Sequence, residues 1–299
     1  MATFRSFAKI NLSLRVAGRR ADGYHELSTV FQTIDLADEL EIRRRRRAGV
    51  ELEVRGADLP SDERNLAYRA AEAFLRDRAP AGEGVSIRLE KRIPVGAGLG
   101  GGSANAATVL LALERLFAPA PDPGWLQSTA RWLGADVQFF LVGGTALGAG
   151  RGDVIRPLAD APPPRGDLVL LLPAAGLSTA EVFAAFGAAP IADRRVAASG
   201  AVPTSGAEFA AWVGANDLEA AAFRVRPALA ALYTAAVRSG ARRVRMSGSG
   251  STLFALYDAA GAAAEAARFW PPDIVWKRVE TLDRAAWRSA GGWAPARGE

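Results

Sequence analysis

The sequence predicts an α+β fold in two domains. Segments that alternate like half-buried strands are interspersed with segments of helical spacing, and they do not follow the strand–helix–strand order of a doubly wound sheet. A length of 299 residues is comfortable for two domains. The run Ala161-Pro162-Pro163-Pro164 breaks all regular structure. We therefore place the boundary there, with one domain at residues 1–158 and the other at residues 159–299.

The first domain is predicted to begin with a strand. Residues 5–16 alternate strictly, with Ile10 and Leu12 on the apolar face and Lys9 and Asn11 on the polar face. Further strands are predicted at residues 27–34, 39–43, 50–54, 85–89 and 145–152. Helices are predicted at residues 65–76, from Ser103 as N-cap to residue 117, and at residues 123–133.

The second domain is predicted to open with a buried strand at residues 168–172. Helices follow at residues 179–186 and 216–239, where Asn216 and Glu219 form a cap-like pair. A strand, a glycine turn and a second strand are predicted across residues 242–257. An alanine-rich helix then ends at Pro271, and a last strand covers residues 274–279.

The composition excludes several classes of protein. The chain has no cysteine, so disulfides, zinc-thiolate sites and thiol nucleophiles are absent together, and one histidine does not make a zinc site. No apolar run reaches the eighteen residues that a membrane-spanning helix needs. The first residues lack the basic-then-apolar layout of a signal peptide, and we expect a cytoplasmic protein without a membrane partner.

The net charge of +5 comes almost wholly from arginine, which we attribute to compositional bias. Residues 43–47 are five consecutive arginines between two predicted strands, and we interpret them as the solvated tip of a hairpin. The alternative is a nucleic-acid binder, which would bind DNA or RNA tightly in a salt-dependent manner. No aromatic side chains interleave the run, so we expect no nucleic-acid partner.

A glycine-rich loop is the most informative stretch of the chain. Its residues are Pro94, Val95, Gly96, Ala97, Gly98, Leu99, Gly100, Gly101, Gly102, Ser103 and Ala104. Five glycines in seven residues leave the backbone bare, so several N–H groups can converge on an anion, and the following helix adds its positive end. A purely structural turn is the alternative, but the pattern favours a phosphate site.

Two better-known phosphate loops do not fit this stretch. A dinucleotide fold needs a parallel strand directly after the helix, whereas here three prolines and another helix follow Phe117. A Walker loop ends in Gly-Lys-Ser or Gly-Lys-Thr, and this loop ends in Gly-Gly-Ser. The loop is therefore a phosphate cradle without its own lysine, and its cations must come from elsewhere.

Two lysines and one aspartate are candidates to complete the site. Lysine occurs only at Lys9, Lys91 and Lys277 in a chain that otherwise uses arginine, which favours a role for a compact ammonium at Lys9 and Lys91 over ordinary surface positions. Asp136 lies in an apolar neighbourhood and is a helix cap or a functional base, two roles that do not exclude each other. Phosphoryl transfer needs a proton acceptor and positive charge, which Asp136 and Lys9 can supply.

The only histidine, His25, follows Tyr24 in a turn between two predicted strands. A lone histidine is usually structural or exposed. Beside an aromatic residue on a loop it also suits stacking on a planar base and recognition of its edge.

Four motifs together resemble those of the GHMP kinase superfamily, and the resemblance runs nearly end to end. The motifs are Ala8-Lys9-Ile10-Asn11-Leu12 with Asp22-Gly23-Tyr24-His25, residues 94–104, Leu133-Gly134-Ala135-Asp136-Val137, and Ser247-Gly248-Ser249-Gly250 leading to Leu253-Phe254. The second motif is shared by the superfamily. The first is typical of members whose small-molecule substrate carries a cytidine diphosphate group.

The resemblance implies a ribosomal-protein-S5-domain-2-like first domain and a ferredoxin-like second domain, with the site between them. It implies transfer of the ATP γ-phosphoryl group, with Mg²⁺ accompanying ATP, to the 2-hydroxyl of a methylerythritol unit in non-mevalonate isoprenoid biosynthesis. The sequence contains no obvious carboxylate dedicated to the metal. We expect a monomer or a homodimer.

The resemblance also implies roles for individual residues. Asp136 would be the base and Lys9 would orient it. Asn65 and Lys91 would lie near the adenine. The residues expected at the substrate are Asn11, which would hold it, Tyr24 and Phe183, which would sandwich the cytosine, and His25, which would read the edge of the base.

The chain departs from the family pattern at two positions. Gln138 and Ser251 stand where the family commonly has proline, which frees a backbone N–H and loosens a turn. Three alternatives also remain open at this stage. They are a GHMP kinase for homoserine, mevalonate or a sugar, a non-catalytic relative of these kinases, and the nucleic-acid binder.

Overall fold

A long antiparallel ribbon organises the first part of the chain. Its strands are β1 (Ala2–Arg19) and β2 (His25–Arg45), which pair from Ala2 opposite Ile42 to Arg19 opposite His25. The computed structural model describes residues 2–21, 23–187 and 208–293. Both faces of β1 are buried in its middle, since Lys9 and Asn11 are as shielded from solvent as Ile10 and Leu12. The polar face of this strand therefore faces the interior, and not solvent as in a half-buried strand.

The remaining elements of the first part are β3 (Gly49–Arg55), α1 (Leu66–Asp77), β4 (Gly84–Glu90), α2 (Gly101–Phe117), α3 (Pro123–Leu133), α4 (Val137–Phe140), β5 (Thr145–Gly150) and β6 (Val154–Pro157). The first sheet has the order β3-β4-β2-β5-β6. Its sixth strand, β1, pairs within this sheet with β2 alone and so does not appear in this order. Only β3 and β4 are parallel within this sheet.

The second part contains β7 (Leu168–Leu172), α5 (Thr179–Phe186), α6 (Phe209–Trp212), α7 (Glu219–Val225), α8 (Pro227–Arg238), β8 (Arg243–Met246), β9 (Leu253–Leu256), α9 (Ala262–Ala266), β10 (Val275–Val279) and α10 (Arg284–Gly291). Its antiparallel sheet has the order β10-β7-β9-β8. The two sheets and their helices confirm the predicted two-domain α+β fold.

The core continues from one part of the chain into the other. Leu168 and Leu170 of β7 pack in one cluster with Ile10 and Leu12 of β1. Val169 on the opposite face of β7 packs in a separate cluster beneath α5, α7 and α8. Burial on both faces explains the uninterrupted apolar run of β7 and fixes the two parts against each other along the ribbon.

The C-terminal segment returns to the first sheet. Thr281 forms a bridge with Ile34, and Trp287 of α10 packs against Phe7 and Ala37. Helix α10 was not predicted from the sequence. The division into residues 1–158 and 159–299 remains a prediction, although β6 ends at Pro157 and β7 begins at Leu168.

Three further local predictions are wrong. Residues 43–47 do not cap a hairpin of β2 and β3, because β4 lies between these strands and pairs with both. Arg44 and Arg45 form ion pairs with Glu83 and Glu51, each at 2.9 Å.

The other two wrong predictions concern helix boundaries. The helix predicted at 216–239 is broken before Pro227, whose ring removes an N–H donor. Ser103 is not an N-cap, because α2 begins earlier and Gly100, in the left-handed region, occupies that position. Within the described ranges no helix has both the length and the apolar composition needed to cross a bilayer.

Candidate active site

A cavity of about 1520 Å³ lies where the two sheets meet. Its walls come from the glycine loop, the polar face of β1, the segment between α3 and α4, the turn at residues 248–250 and the start of α5. Nearly all of the site residues predicted from the sequence line it. A cavity of this size is large enough for two nucleotide-sized ligands.

The glycine loop is pressed against the turn that joins β8 and β9. Gly98 has φ +74°, and a Cβ atom on it would lie 2.2 Å from the carbonyl oxygen of Ser247, so no larger residue fits. Ser247 donates its hydroxyl to the Gly98 carbonyl at 2.9 Å, and Asn11 donates its backbone N–H to the same hydroxyl oxygen at 3.3 Å. The motif that begins at Ser247 thus fixes the loop to β1. The N-terminus of α2, which begins at Gly101, points at the cavity as a ready site for phosphate.

Lys9 places an ammonium beneath this loop. Its side chain is 3% exposed, and its Nζ donates to Asn11 Oδ1 at 2.6 Å and to the Gly98 carbonyl at 2.8 Å. The same Nζ lies 3.6 Å from Asp136 Oδ2. Burial lowers the pKa of Lys9 below its ordinary value of 10.5, and the Asp136 carboxylate opposes that shift.

Asp136 stands at the N-cap position of α4, but its carboxylate accepts no hydrogen bond from that helix. Its side chain is 34% exposed and its charge faces the ammonium of Lys9. Of the two interpretations open for Asp136, a capping side chain is excluded. Its role as a base remains a prediction.

Asn11 is held in place from two sides. Besides accepting from Lys9, it donates its Nδ2 to Thr29 Oγ1 at 2.7 Å, and Thr29 donates in turn to the Ser13 carbonyl at 2.6 Å. Asn216 donates to the carbonyls of Met246 and Gly248 at 2.8 Å, which steadies the turn facing Asn11. The sequence analysis assigned Asn216 only a capping role.

Lys91 lines the cavity, but its ammonium has a buried partner. It forms an ion pair with Asp38, and it donates to Asn105 Oδ1 at 3.2 Å. Asp38 also accepts the backbone N–H groups of Arg92 at 2.7 Å and Ile93 at 2.8 Å. The charge of Lys91 therefore serves to join β2, the end of β4 and α2 behind the loop. Its contact with adenine remains a prediction.

Asn65 caps α1 and lies at the same end of the cavity. Its Oδ1 accepts the Ala67 N–H at 3.0 Å, and its Nδ2 donates to the Pro60 carbonyl at 2.8 Å. Trp132, which the sequence analysis missed, is exposed beside it and has the Arg69 guanidinium 4.5 Å from its ring centre. The role of Asn65 toward adenine also remains a prediction.

Three aromatic residues, Tyr24, His25 and Phe183, line the cavity at the β1–β2 turn and at α5. His25 stacks on Phe183 with ring centres 4.8 Å apart and 26° between the planes, although Phe183 comes from α5 in the second domain. Tyr24 is exposed, and the Arg151 guanidinium lies 4.8 Å from its ring centre. Burial and the positive charge of Arg19 lower the pKa of His25, which favours the neutral ring.

The stacking of His25 bears on the predicted cytosine sandwich. One face of Phe183 is covered by the imidazole, so a base would use the remaining face or displace the ring. The Nε2 atom of His25 is buried without a hydrogen-bond partner among the described residues. A buried polar group of this kind requires a hydrogen-bond partner, and a polar atom of a ligand can supply one.

The cavity has a strongly basic lining. Among the described residues that line it, Asp136 is the only carboxylate, and the basic residues are Lys9, Arg19, Arg64, Lys91, Arg131 and Arg151. The described part of the chain contains no group of three or more His, Cys, Asp or Glu residues that could hold a metal ion. The lining suits a ligand rich in phosphate.

Sequence comparison assigns the family. The models of the GHMP kinase N-terminal and C-terminal domains match residues 65–144 and 204–273. A protein of Pelotomaculum thermopropionicum named 4-diphosphocytidyl-2-C-methyl-D-erythritol kinase is 45% identical over 88% of this chain and 91% of its own length. The chain belongs to this family of GHMP kinases.

Solved structures agree with membership in the 4-diphosphocytidyl-2-C-methyl-D-erythritol kinase family. A crystal structure of 4-(cytidine 5'-diphospho)-2C-methyl-D-erythritol kinase matches with a TM-score of 0.73 and 37% identity, over 94% of this chain and 99% of the other. Homoserine kinase from Cytophaga hutchinsonii matches with a TM-score of 0.69 at 21% identity over 95% of each chain, which shows a shared fold alone. GHMP kinases take ATP as their phosphate donor, and the glycine loop lies in the matched N-terminal segment.

Proposed function

We propose that the protein transfers the γ-phosphoryl group of ATP to the 2-hydroxyl of 4-diphosphocytidyl-2-C-methyl-D-erythritol, giving the 2-phosphate and ADP. This is a step of non-mevalonate isoprenoid precursor biosynthesis. The observation that carries the proposal is the pair formed by Lys9 and Asp136. It lies in one cavity between a phosphate loop and a group of aromatic residues. Relatives that are named as kinases of this compound support the choice of substrate.

Asp136 is the base of the proposed reaction. Its carboxylate is open to the cavity and accepts the proton of the substrate hydroxyl as the oxygen attacks the γ-phosphorus. Lys9 holds that carboxylate in place and puts a positive charge beside the transferring group. The same ammonium binds Gly98, so base, cation and loop keep a fixed relation to one another.

The loop and α2 receive the phosphates of ATP in this proposal. The N–H groups of residues 94–104 and the positive end of the helix stabilise the charge, while Asn65 and Lys91 lie beside the adenine. We propose that Mg²⁺ arrives bound to ATP. This ion prefers phosphate oxygens, several waters and one or two carboxylates, and Asp136 is the single carboxylate of the described lining.

The other end of the cavity receives the cytidyl group. Tyr24 and Phe183 supply aromatic faces, and Asn11 binds the substrate near Lys9. The base displaces the His25 ring from Phe183, and His25 then reads the edge of the base. The neutral imidazole of His25 offers one donor and one acceptor, which matches the mixed edge of cytosine. A cytoplasmic location and a monomeric or homodimeric state remain predictions.

A substrate panel tests the proposal. ADP release is measured with the cytidyl substrate, homoserine and mevalonate, beside the Asp136→Asn variant. We expect turnover with the cytidyl substrate alone, and most of that turnover should be lost in the variant. Preference for homoserine or mevalonate would overturn the choice of substrate. Absence of turnover with every acceptor would favour a non-catalytic relative.

A further inference from the structure

Two arginines from different elements meet on one buried carboxylate. Arg131 lies in the last turn of α3, and Arg151 and Asp153 lie in the turn between β5 and β6. Asp153 accepts the backbone N–H of Arg151 at 3.1 Å. One of its oxygens lies 3.5 Å from Arg131 Nε and 3.6 Å from Arg151 Nη2. The carboxylate therefore lies beside both guanidinium groups and offsets one of their two charges.

Asp153 leaves most donors of the two guanidinium groups available. Both separations exceed the usual length of a hydrogen bond, and each guanidinium has five N–H donors. The arginine side chains are 53% and 33% exposed, and both line the cavity. Two positive charges on one negative charge leave a net charge of +1 that faces the cavity. A purely structural ion pair at an exposed site contributes little to the free energy of unfolding, and it needs only one arginine.

The position of this arginine pair lies between the two ends of the substrate site. Arg151 lies over the ring of Tyr24 at 4.8 Å. The next residue, Gly152, borders Asp136, since a Cβ atom on Gly152 would lie 4.0 Å from Asp136 Oδ1. The pair thus spans from the aromatic residues to the proposed base.

We infer that Arg131 and Arg151 form the subsite for the diphosphate of the substrate, an inference that rests on the proposed function. In that substrate the diphosphate joins the cytidine to the methylerythritol. With the base at Tyr24 and the reacting hydroxyl at Asp136, the diphosphate lies beside Arg151. A guanidinium matches phosphate oxygens with two parallel hydrogen bonds. The subsite makes the enzyme select acceptors that carry a nucleoside diphosphate.

Binding of cytidine and CDP measures the subsite directly. Calorimetry is carried out on the wild type, Arg151→Gln and Arg131→Gln, with Arg156→Gln on exposed β6 as the matched control. Each subsite variant is expected to lose about tenfold or more of the preference for CDP over cytidine, the usual effect of one charge-assisted hydrogen bond. The control keeps the wild-type ratio. The readout is the ratio of the affinities for CDP and cytidine, because Arg151 also contacts Tyr24. A variant that only disturbs the base site lowers both affinities alike and leaves this ratio unchanged.

The remaining outcomes separate this inference from the proposed function. A wild type that phosphorylates the cytidyl substrate, with unchanged CDP-to-cytidine ratios in both variants, overturns the subsite and leaves the function standing. A raised KM for ATP with an unchanged ratio assigns the arginines to the ATP phosphates and also overturns it. A wild type that neither prefers CDP to cytidine nor uses the cytidyl substrate removes the function itself.

Discussion

The ammonium of Lys9 lies 3.6 Å from the Asp136 carboxylate and 2.8 Å from the carbonyl oxygen of Gly98. One buried charge therefore links the proposed base to the phosphate loop. This relation distinguishes the cavity from a mere nucleotide pocket, because a base held at a fixed distance from a phosphate cradle is what in-line transfer to a hydroxyl needs.

Replacing Asp136 with asparagine should abolish most turnover while leaving ATP binding largely intact. The amide keeps the shape of the side chain but does not accept the hydroxyl proton, and loss of a general base costs about 10²–10⁴-fold in kcat. Single-turnover kinetics and ATP calorimetry measure the two effects. Asp258→Asn, on the surface of the second domain, is the control. Unchanged turnover in Asp136→Asn would remove Asp136 from the mechanism.

Lys9→Met should lower kcat by about 10²-fold or more, since a preorganised charge-stabilising donor is lost. In the wild type kcat should decrease at alkaline pH, and this alkaline limb should lie below pH 10.5. The reason is that burial lowers the pKa of Lys9 and the protonated form of Lys9 is the active one. A pH–kcat profile measures this limb. A limb that persists unchanged in Lys9→Arg would assign it to another group.

The same pKa shift affects stability. The unfolded chain binds the Lys9 proton more tightly than the folded chain, so between the folded pKa and 10.5 the unfolded state carries more protons. The free energy of unfolding of the wild type should therefore rise with pH, relative to that of Lys9→Met, across this window. Denaturant titrations of both proteins at several alkaline pH values measure the difference. A relative fall would contradict the direction of the shift.

The parts of the site that could be predicted from the sequence depend on local pattern. The bare backbone of residues 94–104, the rare lysine at Lys9 and the acid at Asp136 were identifiable without coordinates because residue type alone limits their chemistry. Phe183 was assigned by resemblance, and the structure places it beside His25.

Long-range pairing explains most of what could not be predicted. The separation of β2 from β3 by β4 depends on strand order, which local alternation does not encode. The ion pair of Lys91 with Asp38 and that of Arg131 with Asp153 join residues that are distant in sequence. The abundance of arginine throughout the chain also hid the two that line the cavity.

Asp38→Asn should destabilise the protein strongly and raise the KM for ATP. It leaves the buried ammonium of Lys91 without its counter-charge, and breaking a buried pair costs about 3–5 kcal/mol. The KM effect follows because Asn105 of α2 shares this network behind the loop. Denaturant unfolding and ATP kinetics measure both, and Asp38→Asn with Lys91→Met should recover part of the stability. No recovery in the double variant would contradict the pairing.

Phe183→Ala should raise the KM for the cytidyl substrate about 10–100-fold, the range expected for loss of one stacking face. The KM for ATP should stay unchanged, because Phe183 lies at the end of the cavity with Tyr24 and His25. Phe269→Ala, at an exposed position outside the cavity, is the control. Equal effects on both substrates would mean that Phe183 supports the fold and not the base site.

Gln138→Ala should lower the free energy of unfolding by about 1 kcal/mol, the usual loss for one hydrogen bond. The Gln138 side chain is buried and donates to the carbonyl of Gln127, so it ties α4 to α3 across the segment that carries Asp136. This bond supplies rigidity that a proline at this position would also supply. Gln138→Pro should therefore retain more stability and kcat than Gln138→Ala, since proline is tolerated in the first turn of a helix. Thermal unfolding and kcat are measured for both variants. A Gln138→Pro protein that is less stable and has a lower kcat than Gln138→Ala would show that the amide does more than stiffen this turn.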